Sequence, residues 1–341
     1  FAFGGPAGQG RLRVEPEDFQ VRELPICEPD GAGEHTWLWV RKRNANTDWV
    51  ARQLARYAGV TPRDVSYAGM KDRRAVTEQW FSVQLPGRAD PDWSTLNAEG
   101  VEVRRAERHS RKLKRGALRG NDFDIRVRAL TGDRDLIEAR LNAIAQRGVP
   151  NYFGSQRFGR EGGNLAGADA MFRGGKRPER HMRGLYLSAT RSFLFNRVLA
   201  ARVQASNWEQ ALAGDVIQLN GSRAWFHADP ADLDLAPRLA QLEVHPTGPL
   251  WGRGTLPTAD AARELELACM VDWADWCAGL ERAGLEQDRR ALRVRANDLQ
   301  WQWSGEGDLL LRFGLPPGSY ATMLLRELVH LDADAEEGDA P

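Results

Sequence analysis

The sequence predicts an α+β protein. Three observations carry this: short runs that alternate apolar and polar residues, intervening runs with apolar spacing near 3.6, and no solenoid-length repeat in 341 residues. The first strands are read in "EDFQVREL" and "HTWLWVRK". "NTDWVARQLARYAGV" then places Val50, Leu54, Tyr57 and Ala58 on one helical face, with Gly59 as its stop. Thr61, Pro62 and Asp64 supply a cap, a first-turn proline and a first-turn acid. From Val65 to Leu85, "VSYAGMKDRRAVTEQWFSVQL" reads as strand, tight turn, strand, with Phe81, Val83 and Leu85 alternating against Trp80, Ser82 and Gln84. "NDFDIRVRAL" is a half-buried strand, Phe123, Ile125 and Val127 facing one way and Asp124, Arg126 and Arg128 the other. "DRDLIEARLNAIAQRGVPNYFG" follows as a helix with Ile137, Leu141 and Ile144 inward, stopped by Gly148 and Pro150. To this point the expected sheet is antiparallel.

After Pro150 the texture changes to the glycine-rich "NYFGSQRFGREGGN" and long helical runs such as "SATRSFLFNRVLAARVQ", which puts a boundary near Gly148. Asn220-Gly221 between "DVIQL" and "SRAWFHA" signals a hairpin. Near Arg295 the β pattern returns in "LQWQW" and "DLLLRF". "LPPGSYATMLLRELVH" then predicts a helix capped by Ser319, with Tyr320, Leu324 and Leu328 along one side.

Composition narrows the class. Hydrophobic content of 42% with 28% charged residues is globular, and no apolar run reaches the ~20 residues that span a bilayer. The opening "FAFGGPAGQG" lacks a secretory pattern, so the expectation is cytoplasmic. Cys27, Cys269 and Cys277 form no CxxC pair and the six histidines no HExxH spacing, which predicts free thiols and no metal site. Glycine clusters without GK[ST] or a strand before them read as flexible loops, not nucleotide sites, and the alternating tryptophans read as core. The 47 basic and 47 acidic residues balance overall. Arg104 to Arg119, however, carries eight bases against the single acid Glu107, while "DADAEEGDAP" at the other end has five acids and no base and reads as a solvated, disordered tail.

Two stretches invite chemistry. Lys71, Arg73 and Arg74 surround Asp72, and neighbouring cations keep a carboxylate ionised and ready as nucleophile or base. The same cluster is also what a solvated, salt-bridged turn looks like, and in that setting Asp72→Asn would change stability by no more than about 0.5 kcal/mol. Arg111, Lys112 and Lys114 in the basic segment, and Arg157 in "NYFGSQRFG", offer phosphate contacts for a nucleic acid.

Taken together, "SYAGMKDRRAVTEQW", "GALRGNDFDIRVR", "VPNYFGSQRFG" and "LPPGSYATMLLREL" resemble the TruD-type tRNA pseudouridine synthases, in the right order and over nearly the whole chain. The resemblance implies a pseudouridine-synthase-type catalytic domain with a mixed or antiparallel sheet, made of residues 1–147 and 296–341, and an inserted family-specific α/β domain over 148–295. It implies isomerisation of uridine to pseudouridine in tRNA, at position 13, with no cofactor, tRNA as the partner and no protein partner. Asp72 is then the essential carboxylate. Phe19, Asn121 and Tyr320 match positions that contact the target nucleotide, and Phe123 matches the ring packed against the base. Arg13 stands where a lysine is common, and Lys71, Arg73 and Arg74 are expected to meet the phosphates of an extruded nucleotide. Attack of Asp72 on the ribose anomeric carbon and removal of a ribose proton to give a glycal both remain open. A non-catalytic RNA-binding protein on the same fold is the competing reading; an RNA methyltransferase would need a glycine-rich cofactor loop behind a strand.

Overall fold

Ten strands drawn from both ends of the chain share one mixed sheet. The computed structural model describes residues 1–331 apart from 177, 230 and 306, so the acidic tail lies outside the described residues. In chain order the elements are β1 (Gly8–Leu12), β2 (Phe19–Pro25), β3 (His35–Arg43), α1 (Thr47–Ala58), β4 (Val65–Tyr67), β5 (Val76–Gln84), β6 (Val101–His109), β7 (Leu118–Gly132), α2 (Arg134–Arg147) and β8 (Val149–Pro150). There follow α3 (Gly163–Phe172), α4 (Arg180–Gln204), β9 (Val216–Leu219), β10 (Trp225–His227), α5 (Leu235–Ala240), β11 (Val244–Leu250), α6 (Asp260–Met270), α7 (Ala274–Arg282), β12 (Asp288–Ala291), β13 (Arg293–Val294), β14 (Asn297–Ser304), β15 (Asp308–Leu315), α8 (Ala321–Leu328) and β16 (Val329–Leu331).

The main sheet runs β14-β15-β7-β2-β5-β3-β6, with β4 on β5 and β1 bridging β7 and β16. Two pairings, β2 with β5 and β1 with β16, are parallel, so the sheet is mixed where the alternation alone suggested antiparallel. The glycine-rich start is not a free loop either, since from Gly8 it becomes strand β1, paired with β7 on one side and β16 on the other. β7 is the spine: its Phe123 lies opposite Val21 on one side and Phe313 on the other, and its Asn121 lies opposite Glu23 and Leu315.

Two apolar clusters cover the same sheet face. Phe19, Val21, Phe123, Ile125 and Phe313 pack under Ile137, Leu141 and Ile144 of α2 and Leu324, Leu325 and Leu328 of α8. Leu38, Val40, Phe81 and Val83 pack under Val50, Leu54 and Ala58 of α1, where Gly59 in the left-handed region ends the helix. Between the clusters the face turns polar. Lys42 lies opposite Thr77 and Val40 opposite Gln79, and Lys42, Thr77, Gln79 and Glu23 are all buried. The core is thus split at the middle of the sheet by side chains that need partners.

The chain leaves this body at β8 and returns at β13, and those two short strands pair with each other, Val149 opposite Val294 and Pro150 opposite Arg293. Between them lie α3 to α7 and a four-stranded antiparallel sheet, β10-β9-β11-β12, whose β9–β10 hairpin carries Asn220 and Gly221 in its connection. In this part His245 is buried, its Nδ1 accepting from Arg293 Nε at 3.2 Å. An arginine Nε–H can only donate, so the histidine proton sits on Nε2 and points to Asn220 Oδ1, 3.0 Å away. Ser319 does not cap α8: Tyr320 occupies the N-cap, and the Ser319 hydroxyl lies 3.3 Å from Asn151 Oδ1.

Two outcomes are expected. A Cβ on Gly120 would meet the Leu315 carbonyl at 2.6 Å, so Gly120→Ala must push β7 from β15 and should cost about 1–3 kcal/mol in urea unfolding. Burial, with Arg293 and Arg295 adding to it, depresses His245 to about 3. The unfolded chain, with an ordinary histidine near 6.5, binds the proton first, so stability should be full above that value and fall as pH drops from about 6.5 toward 3. His245→Gln should flatten that slope in chemical-denaturation curves taken across the range.

Candidate active site

β4 ends at Tyr67 and β5 begins at Val76, so residues 68–75 form a long connection and not the tight turn read from the sequence. Buried polar side chains fix its backbone. Lys42, 0% exposed on β3, donates its Nζ to the carbonyl of Asp72 at 2.7 Å and to that of Lys71 at 3.4 Å. Thr47 Oγ1, at the start of α1, accepts from the Lys71 amide at 3.0 Å, and Gln79 Nε2 of β5 donates to the Gly69 carbonyl at 2.9 Å. The loop therefore takes its shape from the polar seam beneath it.

Above that backbone the Asp72 side chain meets Arg13. Arg13 Nη2 donates to Asp72 Oδ2 at 2.6 Å, and the side chains are 2% and 29% exposed respectively. Arg13 reaches this place from the β1–β2 connection in a left-handed conformation, φ +57°, which an arginine adopts at a cost. Its guanidinium lies 4.2 Å from the centre of the Phe19 ring. Phe19 meets Phe123 edge-on at 6.1 Å, and Phe123 stacks on Phe313 at 5.4 Å. A row of three rings thus carries the cation that orients the carboxylate.

Lys71 points elsewhere. Its Nζ pairs with Glu23 Oε2 at 2.6 Å, both side chains almost fully buried, while Glu23 Oε1 accepts from the Trp80 amide at 3.3 Å. Its ammonium is held inside the protein instead of being offered to a phosphate. Arg73 and Arg74 are exposed on the outer side of the loop. Asn121, across the strands from Glu23, keeps a buried Oδ1 without a hydrogen-bond partner among the described residues.

Tyr320 follows β15 by five residues, and the inserted part holds it. Its hydroxyl accepts from Arg157 Nη2 at 3.0 Å, its ring meets Phe153 edge-on at 6.4 Å, and Arg157 also donates to Ser188 Oγ at 3.2 Å. Arg290 lies over Phe153 at 4.0 Å and donates to Asn151 Oδ1 and to the Gly318 carbonyl, at 2.6 and 2.9 Å.

The basic segment is less bare than its local count suggests. Folding brings Glu78 and Glu102 to Arg104, Glu28 and Glu107 to Arg105, and Asp90 to Arg108. Lys112 donates to the Arg63 carbonyl at 2.9 Å and Arg115 to the Tyr67 hydroxyl at 3.1 Å. Arg111 and Lys114 are exposed and have no ion pair among the described residues.

Sequence reasoning missed Lys42, Glu23, Gln79 and Arg290. The first three carried a signal: each sits on the apolar parity of its strand, Lys42 in line with Leu38 and Val40, Glu23 with Phe19 and Val21, Gln79 with Phe81 and Val83. A charge or amide on an inward position needs a buried partner, and the partner here is the loop. Arg290, in "DRRALRV", has no such mark.

The family model of tRNA pseudouridine synthase D (TruD) matches residues 1–167 and 164–328. This chain belongs to the TruD family. A tRNA pseudouridine synthase D of Hydrogenovibrio crunogenus is 49% identical, covering 96% of this chain and 95% of its own length. One from Nitrosococcus oceani is 52% identical, covering 96% and 93%. A crystal structure of a TruD candidate from Methanosarcina mazei superposes with a TM-score of 0.74 at 24% identity, covering 96% of this chain and 95% of that one, and shows the same fold.

The seam under the loop leads to an expected outcome for Lys42→Met. With the ammonium gone, the carbonyls of Asp72 and Lys71 lose a buried donor, which should cost about 1–3 kcal/mol in thermal unfolding. The carboxylate should also drift, lowering single-turnover pseudouridine formation about a hundredfold in a protein that still folds.

Proposed function

We propose that this TruD-family chain isomerises uridine to pseudouridine in tRNA, at position 13, with Asp72 as the reacting carboxylate. The observation that carries this reading is the partly exposed Asp72 side chain on a loop fixed by Lys42, Thr47 and Gln79, and oriented by Arg13. A preorganised anion with one open side is what attack on a sugar carbon needs. In the nucleophilic route Asp72 bonds to the anomeric carbon while the bond to N1 breaks, and uracil leaves with that electron pair. The ring turns, its C5 attacks the same carbon as the carboxylate is expelled, and the C5 proton is lost while N1 takes one up, giving pseudouridine. In the glycal route Asp72 takes the C2′ proton as uracil departs with the N1 electron pair, leaving a C1′–C2′ double bond. After the ring has turned the proton returns to C2′ as C5 bonds to C1′, and the same exchange of the C5 proton for one at N1 follows.

Supporting roles follow from position. Phe19 and Phe313 are core rings that brace Phe123, which by its place in the strand is the ring for a uracil turned out of the RNA stack to pack against. Asn121 Oδ1 can accept from a ring N–H of that uracil. Tyr320, set by Arg157 and Phe153, gives a second flat surface. Arg73, Arg74, Arg111 and Lys114 are exposed cations on the surface that a phosphate backbone can approach, whereas Lys71 serves the site through Glu23. Residues 1–147 and 296–341 act as a discontinuous catalytic domain with 148–295 inserted, supported by the main sheet taking its strands from both ends of the chain. Among the described residues no helix is long and apolar enough to cross a membrane, and a tRNA substrate favours the cytoplasm.

Asp72→Asn should abolish pseudouridine formation, read by mapping the modified base after single-turnover incubation, because an amide is neither an anionic nucleophile nor a proton acceptor. The ion pair revises the expectation for stability: the substitution leaves the almost fully buried Arg13 facing a neutral partner, so about 1–2 kcal/mol should be lost instead of 0.5 or less. tRNA affinity at fixed salt should hold. Turnover by folded Asp72→Asn protein would remove Asp72 from the chemistry.

A further inference from the structure

We propose that Arg157 and Arg290 form a clamp for one backbone phosphate of the tRNA next to the target nucleotide, built across the junction between the inserted part and the start of α8. This rests on the reading of Tyr320 and Asp72 as parts of the reaction site. The two guanidiniums share one ring, lying 5.6 and 4.0 Å from the centre of Phe153, and that ring packs on Tyr320.

Their partners are neutral. Arg157 donates to the hydroxyls of Ser188 and Tyr320, and Arg290 to oxygens of Asn151 and Gly318; among the described residues no carboxylate pairs with either. Two arginines that lie wholly inside the fold are treated differently, Arg202 being matched by Asp215 and Arg289 by Glu266. Two like charges held side by side and partly withdrawn from water without an anion are costly, and desolvation, with Arg157 adding to it, brings Arg290 down to about 10. Donor capacity is also left over. Arg157 Nε is buried without a hydrogen-bond partner, and Arg290 Nη1 makes no hydrogen bond to a described residue. Unbalanced charge, spare N–H groups and fixed planes around one ring are the features of a site that recognises a phosphodiester.

The test uses full-length protein and tRNA transcripts in which single phosphates around the target uridine are replaced by neutral methylphosphonates. One such replacement should weaken wild-type binding about tenfold, yet add nothing to the loss already caused by Arg157→Gln or Arg290→Gln, because both remove the same contact. Each glutamine variant should also lower the slope of log affinity against log salt by about 0.7–0.9. Arg290→Lys, which keeps the charge without the fork that holds Asn151 and Gly318, should keep the wild-type salt slope. Independent effects at every phosphate, or equal losses for Arg290→Lys and Arg290→Gln with the slope unchanged, would overturn the clamp. Pseudouridine formation is scored separately: coupling without product would sink the catalytic reading and leave the clamp standing, whereas product without coupling would do the reverse.

Discussion

A fully buried ammonium in the polar seam between two apolar clusters is the constraint from which the site follows. Lys42 cannot be left unpaired inside the protein, and the groups that satisfy it are the carbonyls of Asp72 and Lys71. Its need for partners and the loop's need for a shape are met by the same bonds. Thr47 and Gln79 complete the arrangement from a helix and a neighbouring strand, so the loop conformation is set by three elements at once. The two hydrophobic clusters on either side then act as walls, α1 on one and α2 with α8 on the other. The polar seam is both the weak place in the core and the reason a carboxylate can be held there.

Much of the scaffold was legible in the sequence because period alone reports it. The strand at Phe123, the helices ending at Gly59 and Gly148 and the return of β structure near Arg295 all follow from alternation and stop residues. The parallel pairing of β2 with β5 was not, since register and direction depend on partners far apart in the chain. Ser319 looked like a cap by residue type, but Asn151 competes for its hydroxyl and the helix starts one residue later.

The site was legible in part. Asp72 stood out by its charged neighbours, yet the neighbour in sequence, Lys71, turns inward to Glu23, and a cation that does touch the carboxylate, Arg13, comes from far back in the chain. The basic segment teaches the same lesson in reverse: its local excess shrinks once Glu28, Glu78 and Asp90 arrive from other elements. Charge counted along a sequence measures what needs pairing, and only the fold decides which charges remain available to RNA.

The pairing of Val149–Pro150 with Arg293–Val294 has a further consequence. Because the chain departs and returns side by side, the body built on the main sheet meets everything between as one closed loop with neighbouring ends. The entropy of closing such a loop grows only with the logarithm of its length, about 0.6 kcal/mol for each doubling. Elements can therefore be gained or lost in the middle of the chain with little effect on how well the ten-stranded sheet holds together. Lineages are free to rebuild what lies between these two strands while the ten-stranded body stays as it is.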